Sequence, residues 1–379
     1  MKFRVERVAL ADAVAWTAKS LPSRPSVPVL AGAMLRVTDG RLHVSGFDYE
    51  VSNQVDVDVQ ADADGATLVS GRLLAEITKA LPAKKPVEIA AVGSHLELVC
   101  GSARFTLPTM PVEDYPTLPD LPASAGTVDA SAFATAVAQV AMAAGRDETL
   151  PMMTGVRIEL AGETLALLAT DRYRLAVREM SWTPDDPEIN TNALVPARTL
   201  ADTAKTLGPL GGEVTIALAS GGAGEGMIGF VGGGTRRTTS RLLDGQSYPP
   251  VRSLFAASYS SEARVAVAAL TEVVKRVSLV AEKATPVRLS FNEDGLIVEA
   301  GGTEEARASE AMEAHFSGEA MTVAFNPQYL IEGLGALNAS TAVFSFNDPF
   351  KPAVITPAGD DGGVIAGFRY LIMPIRVGR

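Results

Sequence analysis

Among 379 residues there is a single cysteine, Cys100. One thiol excludes an intramolecular disulfide and fits a reducing compartment. No apolar run approaches the ~18–20 residues that a helix needs to cross a bilayer. The opening Met1–Arg7 (MKFRVER) is charged and lacks the apolar core of a secretory signal. A cytoplasmic protein with no membrane partner is therefore expected. The signatures of catalysis are missing too. The three histidines, His43, His95 and His315, are far apart from one another, and the lone Cys100 makes no metal-ligand spacing with any of them. There is no G-x-S-x-G elbow and no Walker A sequence. Glycine clusters at 221–226 and 232–234 fall between strand-like segments, where hairpin turns are expected rather than a phosphate cradle. No pair of carboxylates stands out for acid–base work. No catalytic residue, metal or cofactor is expected. Positive charge is also scarce. With 33 basic and 44 acidic side chains the net charge is −11, and no third of the chain is basic. Composition thus argues against a nucleic-acid binder unless cations are segregated onto one surface.

What the chain does contain is one pattern written three times. An apolar spacing of three and four runs through Leu73, Leu74, Ile77 and Leu81. It returns at Leu200, Ala204 and Leu207, and again at Leu330, Ile331, Leu334 and Leu337. A hairpin-like pair of alternating segments precedes each: Met34–Val37 with Leu42–Ser45, Val156–Leu160 with Leu165–Ala169, and Val287–Phe291 with Leu296–Ala300. Each unit is predicted to open with an amphipathic helix, striped by Leu10, Val14, Thr17 and Leu21, by Phe133, Val137, Val140 and Ala144, and by Leu270, Val274, Val277 and Ala281. A period near ~125 residues is a domain size and far exceeds a solenoid repeat. Two proline-rich stretches, Pro108–Pro122 and Gly245–Leu254, sit at matching points and share a Tyr-Pro pair, Tyr115-Pro116 and Tyr248-Pro249. The expected domains are residues 1–122, 123–255 and 256–379. Two helices per unit on largely antiparallel strands makes each an α+β domain.

Two segments resist reading as plain strand ends. Ala169–Leu175 (ATDRYRL) crowds an acid, two arginines and a tyrosine into one turn, and Tyr370–Arg376 (YLIMPIR) ends the chain on apolar residues beside a proline. Together they would suit a groove for a short peptide, with methionine adapting in shape and arginine clamping a carboxylate or carbonyl.

The three-fold repeat, MKFRVER, Leu21–Leu30 (LPSRPSVPVL), Ala169–Val177 (ATDRYRLAV), Arg241–Pro249 (RLLDGQSYP) and the terminal YLIMPIR occur in an order that resembles the bacterial DNA polymerase III β subunit family, the replicative sliding clamps. That resemblance implies three repeated clamp domains per chain and a homodimer closed head to tail into a ring of six domains around duplex DNA. It implies a processivity factor in DNA replication, not an enzyme. Its partners would be double-stranded DNA, the DNA polymerase III alpha subunit, the clamp loader, and other polymerases and repair proteins that carry clamp-binding peptides. An interaction scaffold that never encircles DNA remains the alternative, favoured by the even acidity.

Residue by residue, the resemblance implies three surfaces. DNA would meet Arg7, Arg24, Arg72, Lys79, Arg146, Arg198, Lys205, Lys275, Arg276 and Lys283, whose long side chains can reach phosphates. Of these, Arg24 and Arg198 fall where the family has DNA-contacting cations. A partner-peptide cleft would comprise Thr170, Arg172, Tyr173, Arg174, Leu175, Pro249, Leu254, Tyr329, Pro352, Met373, Pro374, Ile375 and Arg376. Other family members commonly have Gly-His in place of Arg172-Tyr173, and the bulkier pair should narrow or re-aim the entrance. Across the dimer interface Arg104, Phe105 and Leu107 would face Leu279 and Val280, with Glu304 and Glu305 as charged partners.

Overall fold

The computed structural model describes residues 1–22, 24–218, 226–281, 285–301, 306–359 and 361–376. Among them are helices α1 (Arg7–Thr17), α2 (Gly71–Ala80), α3 (Ala130–Ala141), α4 (Ala197–Leu207), α5 (Val267–Val277) and α6 (Pro327–Ala336). These are three pairs, one per repeat. Their apolar stripes are buried, with Leu10 and Val14 in α1, Phe133, Val137 and Val140 in α3, and Leu270, Val274 and Val277 in α5. Burying each such large side chain contributes roughly 1.5–3 kcal/mol. The first helices stop sooner than the apolar spacing suggests, because Leu21, Ala144 and Ala281 lie beyond their ends. After α1 and α5 the chain tightens into 3-10 turns, Ala18–Ser20 and Ser278–Val280, which carry the stripe a few residues further.

A strand comes before each first helix: Lys2–Val5, Ser124–Asp129 and Ser261–Ala266. The repeats therefore do not open on a helix as expected. Lys2–Val5 buries only Phe3 and Val5, an alternation too short to stand out in the sequence. The anticipated hairpins form, with Met34 opposite Ser45, Leu160 opposite Leu165 and Phe291 opposite Leu296. Pro108, the first residue of a proline-rich stretch, belongs to a strand, Ala103–Met110. It is tolerated because that stretch of strand bonds to a neighbour on one side only.

Packing divides the chain into two units, which differ from the three repeats because the central repeat supplies strands to both. The first unit is Met1–Ala134, Trp182–Pro187 and Thr199–Leu242. It holds a 14-stranded antiparallel sheet whose central seam pairs Arg236–Ser240 with Val51–Val55. Leu35, Val44, Ile89 and Leu98 from one face of this sheet pack with Leu10, Val14, Leu74 and Ile77 of α1 and α2. Cys100 lies in the same core with its thiol toward the carbonyls of Pro82 and Lys85. The second unit is Thr135–Ser181, Glu188–Arg198 and Leu243–Arg379, and it holds a 9-stranded and a 4-stranded antiparallel sheet. In the larger one the strand Phe368–Ile372 lies between Arg174–Ser181 and Ala353–Ala358. Helix α6 is capped by Asn326, whose Oδ1 accepts from the Gln328 and Tyr329 amides at 2.9 and 3.2 Å, with Pro327 in the first helical position. Gly333 on α6 lets the buried Tyr370 ring lie against the helix, where any Cβ would overlap it.

Candidate functional site

The turn between strands Thr164–Thr170 and Arg174–Ser181 organises one end of the second unit. Arg172 sits in the left-handed region at φ 78°, unusual for a side chain of that size. Local hydrogen bonds hold it there. The Arg172 amide donates to Thr170 Oγ1 at 3.1 Å, and the Thr170 hydroxyl donates to the Arg174 carbonyl at 2.6 Å. Asp171 Oδ1 accepts from the amides of Tyr173 and Arg174 at 3.0 and 3.1 Å. The consequence is that Tyr173 projects outward, 56% exposed, while Arg174 turns inward and is only 4% exposed.

Arg174 is paired with two carboxylates within the protein. Its Nε donates to Asp171 Oδ2 at 3.0 Å, its Nη1 pairs with the Glu332 carboxylate, and its guanidinium carbon stands 4.3 Å from the Tyr329 ring centre. Burial alone would lower the pKa of this guanidinium, but the Glu332 hydrogen bond and the charges of the Asp171 and Glu332 carboxylates outweigh it and raise the value. For Glu332, burial would raise the carboxyl pKa, yet hydrogen bonds from Gln328 and Arg174 bring it below its ordinary value. Tyr370, pushed up by burial, donates its hydroxyl proton to the Tyr329 carbonyl at 2.9 Å. A cavity of about 330 Å³ opens beside this network, bounded by Arg146, Asp147, Leu150 and Met153, by the turn 171–174, and by Gln328, Tyr329 and Glu332 of α6. The C-terminal segment is tied alongside. The Met373 amide donates to the Tyr173 carbonyl and the Ile375 amide to the Ala324 carbonyl, both at 2.8 Å, leaving the two side chains exposed.

The structure therefore brings Arg172, Tyr173, Arg174 and Tyr329 to one cavity and places Met373, Pro374, Ile375 and Arg376 on a segment bonded to Tyr173. Pro249, Leu254 and Pro352 do not line that cavity. Two expectations need correction. Leu175 is wholly buried in a cluster with Leu168, Tyr248, Val251 and Leu371, so it supports the turn from below and offers no surface. Arg174 is not an open clamp for an incoming carboxylate, because it is buried and its Nε and Nη1 already pair with Asp171 and Glu332. Sequence reading also missed Asp171, Gln328 and Glu332, and it assigned Arg146 to DNA although Arg146 lines this cavity. A visible signal was the Gln328–Glu332 spacing of one helical turn on α6.

The expected DNA-facing cations fare unequally. Arg24, Arg72, Lys79, Arg146, Arg198, Lys205, Lys275 and Arg276 are exposed. Arg7 is half-buried and donates to the Lys79 carbonyl at 2.6 Å, and Arg72 donates to the Leu21 carbonyl at 3.3 Å. Lys275 pairs with Glu272 at 2.9 Å, and Arg276 makes a bidentate contact with Glu310 at 2.7 and 3.1 Å. A phosphate would therefore have to compete with a carboxylate at both. Lys283 lies outside the described residues. A cation not anticipated is Lys19, whose ammonium donates to Thr206 Oγ1 at 2.6 Å. Burial lowers its pKa, opposed by Asp202 and assisted by the neighbouring charges of Lys205 and Arg236. Those three cations gather on the first unit.

The expected interface residues divide similarly. The Ala103–Pro108 stretch bonds to His95–Cys100 on one side, and the strand Gly65–Ser70 joins its other side only at Thr109 and Met110. Phe105 is 37% exposed on that open edge. Leu107 shares its face but is 2% exposed within the core, so it cannot face a partner. Arg104 is exposed, Val280 is half-buried, and Leu279 is 84% exposed. Glu304 and Glu305 lie outside the described residues. Within the 4-stranded sheet of the second unit, Ala308–Met312 is an edge strand.

Comparison with known proteins covers the whole chain. Residues 1–119 match the family described as DNA polymerase III beta subunit, N-terminal domain; residues 127–250 match its central domain and residues 252–376 its C-terminal domain. The beta sliding clamp of Streptomyces coelicolor is 52% identical over 379 residues, covering 100% of both chains. Among solved structures, the DNA polymerase sliding clamp of Bacillus subtilis has a TM-score of 0.90 at 26% identity, covering 100% of each chain. The sliding clamp of Pseudomonas aeruginosa has a TM-score of 0.89, with the same identity and coverage.

Proposed function

The chain belongs to the DNA polymerase III beta subunit family and is a replicative sliding clamp without catalysis of its own; we propose that two copies close head to tail around duplex DNA and tether a polymerase through the cleft at Tyr173. The observation that carries the cleft assignment is the tie between Met373 and Tyr173, which sets an exposed apolar segment at the mouth of a cavity. A peptide anchor of one or two apolar side chains would gain roughly 1.5–3 kcal/mol each on burial, before ordering costs. Single peptides would bind weakly, and two clefts per ring would raise the effective concentration. The polymerase III alpha subunit, the clamp loader, and other polymerases and repair proteins would share this cleft.

On this reading the ring itself provides retention, so cations need only centre the duplex. Arg24, Arg198, Lys205 and Lys19 are the proposed phosphate contacts, and the net acidity of the chain is no obstacle. The open edge at Phe105 and the edge strand Ala308–Met312 are the proposed ring contacts, and pairing them would remove two exposed sheet edges. A scaffold that never encircles DNA has no observation in its favour beyond the acidity. The deciding experiment removes the chain from Met373 onward. The truncated protein should remain a dimer by sedimentation yet fail to support processive synthesis or to bind polymerase. Undiminished polymerase binding would sink the cleft assignment.

A further inference from the structure

The two Tyr-Pro joints cover equivalent ladders whose charge is reversed at one position. In the second unit, cross-strand pairing sets Glu159, Ala166 and Glu179 in one row and Arg157, Leu168, Val177 and Arg369 in the next. Arg252, four residues beyond Tyr248, fills the space above them. It donates to Glu159 at 2.8 and 3.0 Å and to Glu179 at 2.6 Å. Phe255 closes over Arg369, 4.4 Å from the guanidinium carbon to the ring centre.

In the first unit the same two rows read Arg36, His43, Asp56 and Met34, Ser45, Gln54, Arg237. Arg36 thus stands where the second copy has Glu159, His43 replaces Ala166, and Asp56 and Arg237 keep the charges of Glu179 and Arg369. Asp56 is already held by two donors, His43 Nδ1 and Arg237 Nη2, each at 2.7 Å. Arg36 is exposed and, among the described residues, forms no ion pair. Counting on from Tyr115, the place of Arg252 falls to Pro119, which brings no cation, and Arg36 would repel one. What the second copy fills with its own linker is here a cavity of about 430 Å³. Val112, Tyr115 and Leu118 of the linker give it an apolar wall, which packs with Met34 of the neighbouring row. That volume is within the range of sites for small ligands.

We propose that this cavity binds an acidic segment of a partner protein, with Arg36 receiving an Asp or Glu carboxylate and an adjoining apolar side chain lying against Met34, Tyr115 and Leu118. Charge complementarity selects the occupant. The second junction holds a cation between carboxylates; at the first, Asp56 already occupies His43 and Arg237, and Arg36, where the charge is reversed, is the cation left to take a carboxylate. The site is separate from the cleft at Tyr173, and a chain that fails the test below keeps its standing as a clamp.

The probes are N-acetyl-Phe-Asp-amide and N-acetyl-Phe-Asn-amide, titrated into the full-length protein carrying methyl-labelled methionine. The Met34 signal, assigned through Met34→Leu, reports this cavity, and Met153 and Met373 report the cleft. The Asp probe should shift Met34 and bind at least about tenfold more tightly than the Asn probe, as expected for a charge-assisted bond. Arg36→Gln should abolish that preference and Arg36→Lys restore part of it. Arg36→Glu, which recreates the charge of the second junction, should turn the preference toward N-acetyl-Phe-Lys-amide. Arg36 is exposed, so these variants fold, and the remaining methionine signals check it. A silent Met34, equal binding of the two probes, a preference that survives Arg36→Gln, or shifts confined to Met153 and Met373 would each overturn the proposal.

Discussion

Arg174 lies buried beneath Tyr173 with its guanidinium carbon 4.3 Å from the centre of the Tyr329 ring, clasped between Asp171 and Glu332. Removing the cation would leave two carboxylates without compensation in a partly enclosed site. Arg174→Ala is expected to destabilise the second unit by about 3 kcal/mol, the usual scale for breaking a buried pair from one side. Chemical denaturation reads this directly. The pH dependence follows from Glu332. Its folded pKa is lowered relative to the ordinary carboxylate, so the unfolded chain binds the proton more readily. The contribution is complete above the ordinary value near 4.5 and is lost as pH falls through the lowered folded value. Glu332→Gln should flatten that acid limb, and an unchanged limb would remove Glu332 as its source.

The peptide-like turn at 169–175 and the apolar tail were legible in the sequence because each concentrates unusual residue types in a few positions. What could not be read was which arginine faces outward. Arg172 and Arg174 alternate along a turn whose backbone reverses at a positive φ, so their roles depend on a conformation that side-chain spacing does not encode. Leu107 misled for a related reason. Strand alternation places it on the same face as Phe105, but how deep that face runs under the helices depends on packing between segments far apart in the chain. Glu332 and Glu310 were invisible as partners because each pairs with an arginine on another element. The repeat itself was plain, since three copies of one hydrophobic pattern reinforce one another.

Arg172 pays a conformational cost at φ 78° that glycine would not. Arg172→Gly should therefore stabilise the chain by up to about 1 kcal/mol, provided the Thr170 and Asp171 hydrogen bonds persist. It should also open the mouth of the cavity and change the ranking of clamp-binding peptides. Calorimetry of one peptide series on both proteins tests this. An identical ranking would mean that the Arg172 side chain does not shape the entrance.

Phosphate contacts reveal themselves through salt. Replacing Arg24 and Arg198 with alanine should weaken retention on DNA and reduce the slope of log affinity against log salt by about 1 per lost contact. Lys19→Ala is expected to act in the same direction, since Lys19 clusters with Lys205 and Arg236. Arg276→Ala should have a smaller effect on the slope, because Glu310 already neutralises that guanidinium. If the double variant loads and supports synthesis at all salt concentrations like the parent, DNA does not touch Arg24 or Arg198.

Phe105 offers the sharpest test of ring closure because its exposure has no purpose within one chain. It continues the apolar face of its strand past Leu107 to an edge that bonds to nothing at Ala103–Pro108 on one side. A buried aromatic at a dimer seam would be worth several kcal/mol, and an arginine there would bring an unpaired charge into an apolar contact. Phe105→Arg is thus expected to convert the dimer to monomers at micromolar concentration, as read by sedimentation, while each monomer keeps its fold because the ring lies outside the core. Leu107→Arg should behave differently and unfold the first unit, since Leu107 is inside. A Phe105→Arg chain that still sediments as a dimer would place the interface elsewhere, with Leu279 the next surface to examine.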